Sequence, residues 1–214
     1  MLTVHAAPLV LPVGAAGVSG GAVAVDGDTV VALGPYDEVL AAHPAARVRR
    51  WPGVLTPGLV QRDGLPLLTR CYHPDPREAD ELGEQPLTGA ELARSAVRMD
   101  EPRRAGSVRR GLQRMLRHGT THVEGVLGEP AVRTAAGRAG LTVVVASGTP
   151  AGEPSLDPFA RGGGLAGSVH GPLTVGGRAD LAVFDVPDEA GLCAAGGAAC
   201  VATVLGGRLV YRRR

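Results

Sequence analysis

The hydrophobic pattern changes twice along the chain, and this constrains the fold more than any other feature of the sequence. Residues 1–60 and 168–214 contain short apolar runs separated by Gly, Pro and Asp, which is typical of β-strands joined by tight turns. The residues between them alternate helical and strand-like periods. The sequence therefore predicts a mixed α/β protein whose two ends form one β-rich unit around a central β/α segment.

Turn residues predict two hairpins at the chain ends. Apolar alternation around the Asp-Gly-Asp turn at 26–28 indicates one hairpin, and the Gly-Gly pair at 206–207 supplies the turn of a second. Residues 36–43 are predicted to form a short helical connection.

The central segment begins with two predicted helices. Thr88 followed by Glu91 has the spacing of a capping box, and Pro102 is expected to end that helix. The next helix is predicted to end near Gly119 and to present one apolar face, formed by Val108, Leu112, Met115 and Leu116.

A strand–helix–strand pattern follows. Residues 121–127 read as a buried strand, and the helix after it has Pro130 in its first turn and Gly140 as its stop. The apolar run at 141–146 predicts a strand covered on both faces. With residues 54–60 these make three candidate strands for a parallel layer.

These patterns predict the domain organisation. We expect a composite β-sandwich from residues 1–60 and 168–214, a truncated β/α segment at 61–148, and a Gly/Pro-rich linker or mobile loop at 149–167.

Composition excludes several functions. The net charge of +1 and 3% aromatic content argue against a nucleic-acid partner. All 22 basic residues are Arg, so the chain has no lysine for a Schiff base or a Walker-type phosphate loop. Cys71, Cys193 and Cys200 form no Cys-x-x-Cys pair, which suits a reducing compartment, and we expect a cytoplasmic protein. No basic segment precedes Arg47, so neither a signal peptide nor a membrane partner is expected.

Four motifs in order resemble a known family. They are "GAVAVDGDTVVALGPYDEV", "LTPGLV", "LRHGTTHVEG", and "GGRADLAVFD" with "VLGGRLVYRR". In these the chain resembles the metal-dependent amidohydrolase superfamily, in the branch of imidazolonepropionases and of cytosine, guanine and adenosine-analogue deaminases. The resemblance implies a β-sandwich made by both chain ends beside a (β/α)8 barrel.

The sequence departs from that family where the metal should bind. The family follows "PGLV" with a His-x-His metal pair, whereas this chain has Asp63 and Leu65 at those positions. The family's metal-bridging Lys is missing, and a barrel of about 250 residues does not fit between the chain ends. We therefore expect a truncated segment in place of the barrel, no binuclear metal centre and no cofactor.

The loop after the first barrel-like strand is the first candidate site. Cys71, His73 and Asp75 supply a nucleophile, a base and an acid, while Tyr72 and Arg77 are candidates for substrate binding. The alternative is a solvated acidic loop whose turn is fixed by prolines.

The second candidate lies at the end of the next strand. His122 and Glu124 share one face, which predicts Glu124 as a catalytic base and His122, with Asp63, as substrate-binding residues. The alternative is a polar pair hydrogen-bonded to its neighbours. A single zinc ion held by Cys71, His73 and His122 is a weaker alternative to a metal-free site.

The resemblance implies a hydrolase of a non-peptide C–N bond, a deaminase or cyclic amidohydrolase acting on a nitrogen heterocycle, with purine-type nucleosides such as aminofutalosine as candidates. The alternative is a non-catalytic binding or regulatory protein. Because an incomplete parallel sheet leaves an edge open, a homodimer is also expected.

Overall fold

The computed structural model describes residues 1–95, 97–146, 148 and 152–213. The chain divides into two compact units. The first unit comprises Met1–Val60, Leu116–Thr121 and Asp157–Arg214, and the second comprises Gln61–Met115 and His122–Leu156. Among the described residues, no helix has the length and apolar character needed to cross a membrane.

The strands are β1 Thr3–Val10, β2 Val18–Asp26, β3 Thr29–Pro35, β4 Arg47–Arg50, β5 Val54–Pro57, β6 Leu59–Gln61, β7 Thr120–Glu124, β8 Thr142–Val144, β9 Leu181–Phe184, β10 Cys200–Leu205 and β11 Arg208–Arg212. The helices are α1 Tyr36–Ala42, α2 Gly64–Thr69, α3 Ala79–Leu82, α4 Gly89–Arg94, α5 Glu101–Arg117, α6 Pro130–Ala139, α7 Gly164–Gly167 and α8 Glu189–Ala195. Short 3-10 turns cover Pro76–Glu78, Pro158–Arg161 and Gly197–Ala199.

A large sheet forms the first unit. Within the described residues it has eight strands in the order β11-β10-β9-β5-β1-β2-β3, with β4 paired in parallel beside β1. Both predicted hairpins are confirmed, since β2 pairs antiparallel with β3 and β10 with β11. Strand β5 pairs antiparallel with β9, so strands from the two chain ends lie side by side.

The hairpin of β2 and β3 also contacts residues of the C-terminal part of the chain. The backbone N–H of Val30 in β3 donates to the carbonyl of Gly177, which precedes β9, over 2.9 Å. The two hairpin turns also touch, because a Cβ atom added to Gly207 would lie 1.8 Å from the carbonyl oxygen of Gly27. The N-terminal hairpin thus contacts both the segment before β9 and the C-terminal hairpin turn.

Alternating side chains bury both faces of the central strands. In β9, Leu181 and Val183 belong to one apolar cluster, and Ala182 and Phe184 belong to another. Since successive side chains of a strand point to opposite faces, both faces of β9 are covered. Burying each Val or Leu side chain is worth about 1.5–3 kcal/mol, so these clusters supply much of the stability of the unit.

A smaller sheet has the order β6-β7-β8, with β7 and β8 parallel. The predicted helix after β7 is confirmed as α6, which ends before Gly140. The last strand differs from the prediction, because Val143 is 42% exposed and Val145, just after β8, is 88% exposed. The apolar run at 141–146 is therefore not covered on both faces, and β8 also stands at the edge of its sheet.

Two helix boundaries correct the sequence analysis. Thr88 lies at the N-cap of α4, but its side chain makes no capping hydrogen bond. Pro102 lies in the first turn of α5 and does not end a helix. Proline is tolerated there because the first N–H groups of a helix have no partner within the helix. Asp100 instead accepts the Arg103 N–H at the start of α5 over 2.9 Å.

Two other segments differ from their predicted form. The candidate strand at 54–60 is divided between β5 in the large sheet and β6 in the small one. In the predicted linker at 149–167, residues 149–151 lie outside the described residues, while 158–161 and 164–167 are helical turns. Leu165 is buried in the cluster that contains Phe184.

We predict that Gly53→Ala destabilises the first unit far more than Gly27→Ala does. Both glycines have positive φ, +64° and +59°, so both substitutions carry similar backbone strain. A Cβ at Gly53 would also lie 2.2 Å from the Phe184 carbonyl oxygen, whereas at Gly27 it meets no atom within 4 Å.

Urea unfolding of both variants checks this. We expect Gly53→Ala to lose at least about 2 kcal/mol more unfolding free energy than Gly27→Ala. Equal losses in the two variants would contradict the described packing of Gly53 against β9.

Candidate functional site

A cleft with a volume of about 810 Å³ lies wholly within the second unit. The segments that follow β6, β7 and β8 form most of its wall, together with the start of α4. Ligands of α/β proteins bind beyond the carboxyl ends of the strands, so this is the expected place for a site. Its apolar wall comprises Leu65, Pro66, Leu92, Val126, Leu127 and Val132.

Two buried carboxylates lie in the wall of the cleft. Glu124 is the last residue of β7 and only 6% exposed, and its Oε2 lies 3.5 Å from Nη1 of Arg62. Asp63, 1% exposed, accepts the Ser155 N–H at its Oδ2 over 2.9 Å. Buried carboxylates are rare without partners, and these contacts hold both groups in place.

Hydrogen bonds of the Gln61 side chain connect the segment after β6 to the segment before residue 157, beside the cleft. The Asp63 N–H donates to Oε1 of Gln61, and Nε2 of Gln61 donates to the carbonyl of Leu156, each over 2.9 Å. The amide of Gln61 therefore bridges two segments of the second unit and fixes the position of Asp63.

Further charged side chains line the cleft nearer to solvent. They are Arg70, Glu129 and Glu153. Glu129 pairs with Arg104 at 2.5 Å, but both side chains are 45% exposed, so this ion pair adds little stability. With Arg62, the wall of the cleft offers guanidinium and carboxylate groups against an apolar surface, which suits a small polar ring.

Cys71 does not line the cleft. Its thiol is buried, and burial, with the negative charges of Asp63 and Glu153, raises the pKa of Cys71 to about 11. A thiol with such a pKa is protonated at neutral pH and is a poor nucleophile. The structure therefore gives no support to the prediction that Cys71 attacks a substrate.

His73 is buried against α5 and lies outside the cleft wall. Its Nε2 donates to the Leu67 carbonyl over 2.9 Å, and its backbone N–H donates to Oγ of Ser107. Gly111 leaves room for the ring, since an added Cβ would lie 2.7 Å from Nε2. Burial lowers the pKa of His73 to about 4, with Arg114 and Arg110 as further causes. The ring is a neutral packing group in this structure.

The other residues of the predicted loop form a capping network. Asp75 caps the 3-10 turn in a reciprocal box with Glu78, and its Oδ2 lies 3.2 Å from Nη1 of Arg110. The Tyr72 hydroxyl donates to Glu78 over 2.5 Å, while Arg77 is exposed. Burial is the first cause that raises the pKa of Tyr72. None of Asp75, Tyr72 and Arg77 lines the cleft.

His122 is half-buried, two residues before Glu124 on β7, and does not line the cleft. The structure thus brings Asp63 and Glu124 to the cleft and leaves Cys71, His73 and His122 outside its wall. Sequence reasoning missed that Arg62, Arg70, Glu129 and Glu153 line the cleft. Arg62 and Glu129 come just after predicted strands, where an α/β layer presents its ligand-binding loops, whereas Arg70 and Glu153 gave no such signal.

The metal that the resemblance implies does not fit the residues present. Leu65 has no ligand atom, and Oδ2 of Asp63 is engaged by Ser155. Among the described residues, no group of three or more His, Cys, Asp or Glu side chains is placed to hold a metal ion. The alternative zinc site at Cys71, His73 and His122 is therefore not assembled in this structure.

The fold and the cleft define a composite α/β protein with a sandwich built from both chain ends. Residues 21–46 match a family described as the bacterial imidazolonepropionase-like composite domain. This match covers the hairpin of β2 and β3 and confirms the resemblance over those residues. No curated protein sequence matches the chain.

Several solved structures of deaminases and other hydrolases are similar to the chain. An ochratoxinase from A. niger is 16% identical, with a TM-score of 0.45, and the match covers 67% of this chain and 31% of that one. An adenosine deaminase from Xanthomonas campestris is 20% identical, with a TM-score of 0.44, and the match covers 66% of this chain and 33% of that one. An aminofutalosine deaminase from Helicobacter pylori is 15% identical, with a TM-score of 0.44, and the match covers 68% of this chain and 33% of that one. The chain spans about a third of the length of each.

We predict that iodoacetamide labels Cys193 in the folded protein and leaves Cys71 unlabelled. Cys193 is exposed on α8, whereas Cys71 is buried and its pKa is raised to about 11. Mass spectrometry after brief labelling near pH 8, about the ordinary pKa of a thiol, compares the two sites in one sample. Labelling of Cys71 as fast as Cys193 would restore it as a candidate nucleophile.

Proposed function

We propose that the chain hydrolyses a non-peptide C–N bond of a nitrogen heterocycle bound in the cleft, with Glu124 as general base. The observation that carries this proposal is the buried Glu124 carboxylate in the wall of an 810 Å³ cleft, at the end of β7. The sequence resemblance to the amidohydrolase superfamily supports the same class of reaction.

The wall chemistry favours a flat, polar ring as the substrate. Apolar side chains such as Leu65 and Val126 offer surface to the faces of the ring, and carboxylate oxygens accept hydrogen bonds from its N–H groups. Arg62 and Arg70 line the same cleft and would bind an anionic substituent, a role for which the sequence had suggested Arg77. A purine-type base meets these requirements.

In the proposed reaction Glu124 first accepts a proton and later donates it. Glu124 takes a proton from water as the water oxygen bonds to the ring carbon that carries the amino group, and the π electron pair of the ring C=N bond moves onto the ring nitrogen. That pair then re-forms the double bond as the bond to the amino group breaks, and the proton passes from Glu124 to the leaving nitrogen, which departs as ammonia. Arg62, at 3.5 Å, orients the carboxylate. General base catalysis of this kind contributes about 10²–10⁴-fold in rate.

A second candidate function is binding without turnover. It is favoured by the engagement of Asp63 with Ser155 and of Glu124 with Arg62, because both carboxylates already have protein partners. In this case the same cleft holds the same class of ligand and releases it unchanged.

We propose the cytoplasm as the location of the protein. Cys71, Cys193 and Cys200 are all free thiols in the structure, which suits a reducing compartment.

We predict that Glu124→Gln lowers ammonia release from amino-substituted heterocycles by about 100-fold or more and leaves ligand binding within a few-fold. The amide keeps the shape of the carboxylate but cannot accept the proton. Glu81→Gln is the matched control, because Glu81 is exposed on α3 and does not line the cleft.

Ammonia release, calorimetric binding and melting temperature are measured on the wild type and both variants. Unchanged turnover in a folded Glu124→Gln variant would exclude Glu124 as the base. Heterocycle binding by the wild type without ammonia release would replace the hydrolase proposal with the binding protein.

We also propose that a second copy of the chain covers the open edge of β8. Val143 and Val145 are exposed there, and two copies of one edge can pair antiparallel about a two-fold axis. We expect light scattering at micromolar concentration to give twice the monomer mass and Val143→Lys to shift the protein to monomer. A monomeric wild type would refute this arrangement.

A further inference from the structure

One face of β4 presents a row of arginines that leads to the only tryptophan of the chain. Arg47, Arg49 and Trp51 are spaced two residues apart in extended backbone, so their side chains lie on the same face. The backbone bonds to β1 extend past the strand, since the Trp51 N–H donates to the Ala6 carbonyl over 2.9 Å. The row is therefore held by the main chain of the first unit.

A third arginine reaches the same place from the other end of the chain. The guanidinium of Arg212, in β11, lies 5.7 Å from the centre of the Trp51 ring. Burial lowers the pKa of Arg49, and the positive charges of Arg47 and Arg212 lower it further. Arg212 thus lies over the indole ring, while Arg49 and Arg47 lie two and four positions before Trp51 on the same face of the strand.

No carboxylate neutralises this group in the described part of the chain. The ion pairs there involve the Met1 amino group and the guanidinium groups of Arg62, Arg103, Arg104, Arg110 and Arg178, and none of them includes Arg47, Arg49 or Arg212. His5 lies beside Trp51 and accepts the indole N–H at Nδ1, and burial, followed by the charge of Arg49, lowers the pKa of His5 to about 4. A neutral imidazole does not offset the three positive charges, which repel one another unless an anion lies between them.

We propose that Arg47, Arg49 and Arg212 form an anion site beside Trp51 that binds the phosphoryl group of a small molecule. A phosphoryl group carries up to two negative charges and three acceptor oxygens, whereas one carboxylate carries a single charge and pairs with one guanidinium fork. The net charge of +1 and the small extent of the patch favour a small ligand over the long basic stripe that nucleic acid requires. The site lies in the first unit and does not depend on the function of the cleft.

Trp51 reports binding directly, because it is the only tryptophan and Arg212 lies over its ring. Inorganic phosphate and pyrophosphate are titrated against the protein at constant ionic strength, with chloride as the reference anion, while tryptophan fluorescence is recorded. We expect a saturable change with the phosphates and none with chloride. A further titration with a nucleoside diphosphate distinguishes two sources of the phosphoryl group. If the nucleoside diphosphate binds more tightly than pyrophosphate, the ligand is a phosphorylated metabolite. If the two bind equally, the ligand is the inorganic group.

Two variants and a matched control test the two arginines of β4. Arg49→Gln and Arg47→Gln should each weaken phosphate binding by about tenfold or more, since each removes a charge-assisted hydrogen-bond donor. Arg208→Gln should not change it, because Arg208 is an exposed arginine at the other end of β11. Without anions, Arg49→Gln should melt at the same or a higher temperature than the wild type, because it removes repulsion between like charges.

Three results would overturn the proposal. The first is an equal fluorescence change with chloride, and the second is unchanged phosphate affinity in both folded β4 variants. The third is binding of duplex DNA that is lost in the arginine variants, together with no binding of pyrophosphate. That result would show that the patch binds a polyanion.

Discussion

The antiparallel pairing of β5 with β9 is the interaction on which the rest of the first unit depends. It sets Val54 opposite Phe184 and Pro57 opposite Leu181, and it joins the N-terminal strands to the C-terminal ones. The entropic cost of closing the segment between them grows only with the logarithm of its length, about 0.6 kcal/mol per doubling. A sandwich built in this way therefore tolerates a shortened central segment, because all of its residues except Leu116–Thr121 lie on either side of that segment.

The cleft shows how position at the end of a strand decides which side chains line it. Glu124 and Asp63 meet there because each comes at or just after the end of its strand, although 61 positions separate them in the sequence. Cys71 and His73 have more reactive side chains, but burial raises the pKa of the first and lowers that of the second. The chemical type of a residue is thus less informative than the solvent and partners that the fold gives it.

The features that could be predicted from the sequence are local ones. The turns at 26–28 and 206–207 and the start and stop of α6 depend on a few adjacent residues, and the structure has them where the pattern indicated. The exposure of β8 could not be predicted, because an apolar run does not reveal how many neighbours the strand has. The placement of the polar loop at 70–86 also depends on contacts with distant residues, such as that of Asp75 with Arg110. Polarity alone cannot show whether such a loop faces a ligand or its own backbone.

His5 in the first unit and His73 in the second are buried, neutral imidazoles, and they make the free energy of unfolding of each unit depend on pH. The pKa values of His5 and His73 are lowered from 6.5 to about 4, so between these values the unfolded chain binds protons that the folded chain does not. The free energy of unfolding therefore falls as the pH drops through this window, by up to about 1.4 kcal/mol per pH unit for each group, and these groups have little effect above it. Acidification to pH 5 thus weakens both units through groups that take no part in the proposed chemistry, so activity lost at that pH would reflect unfolding.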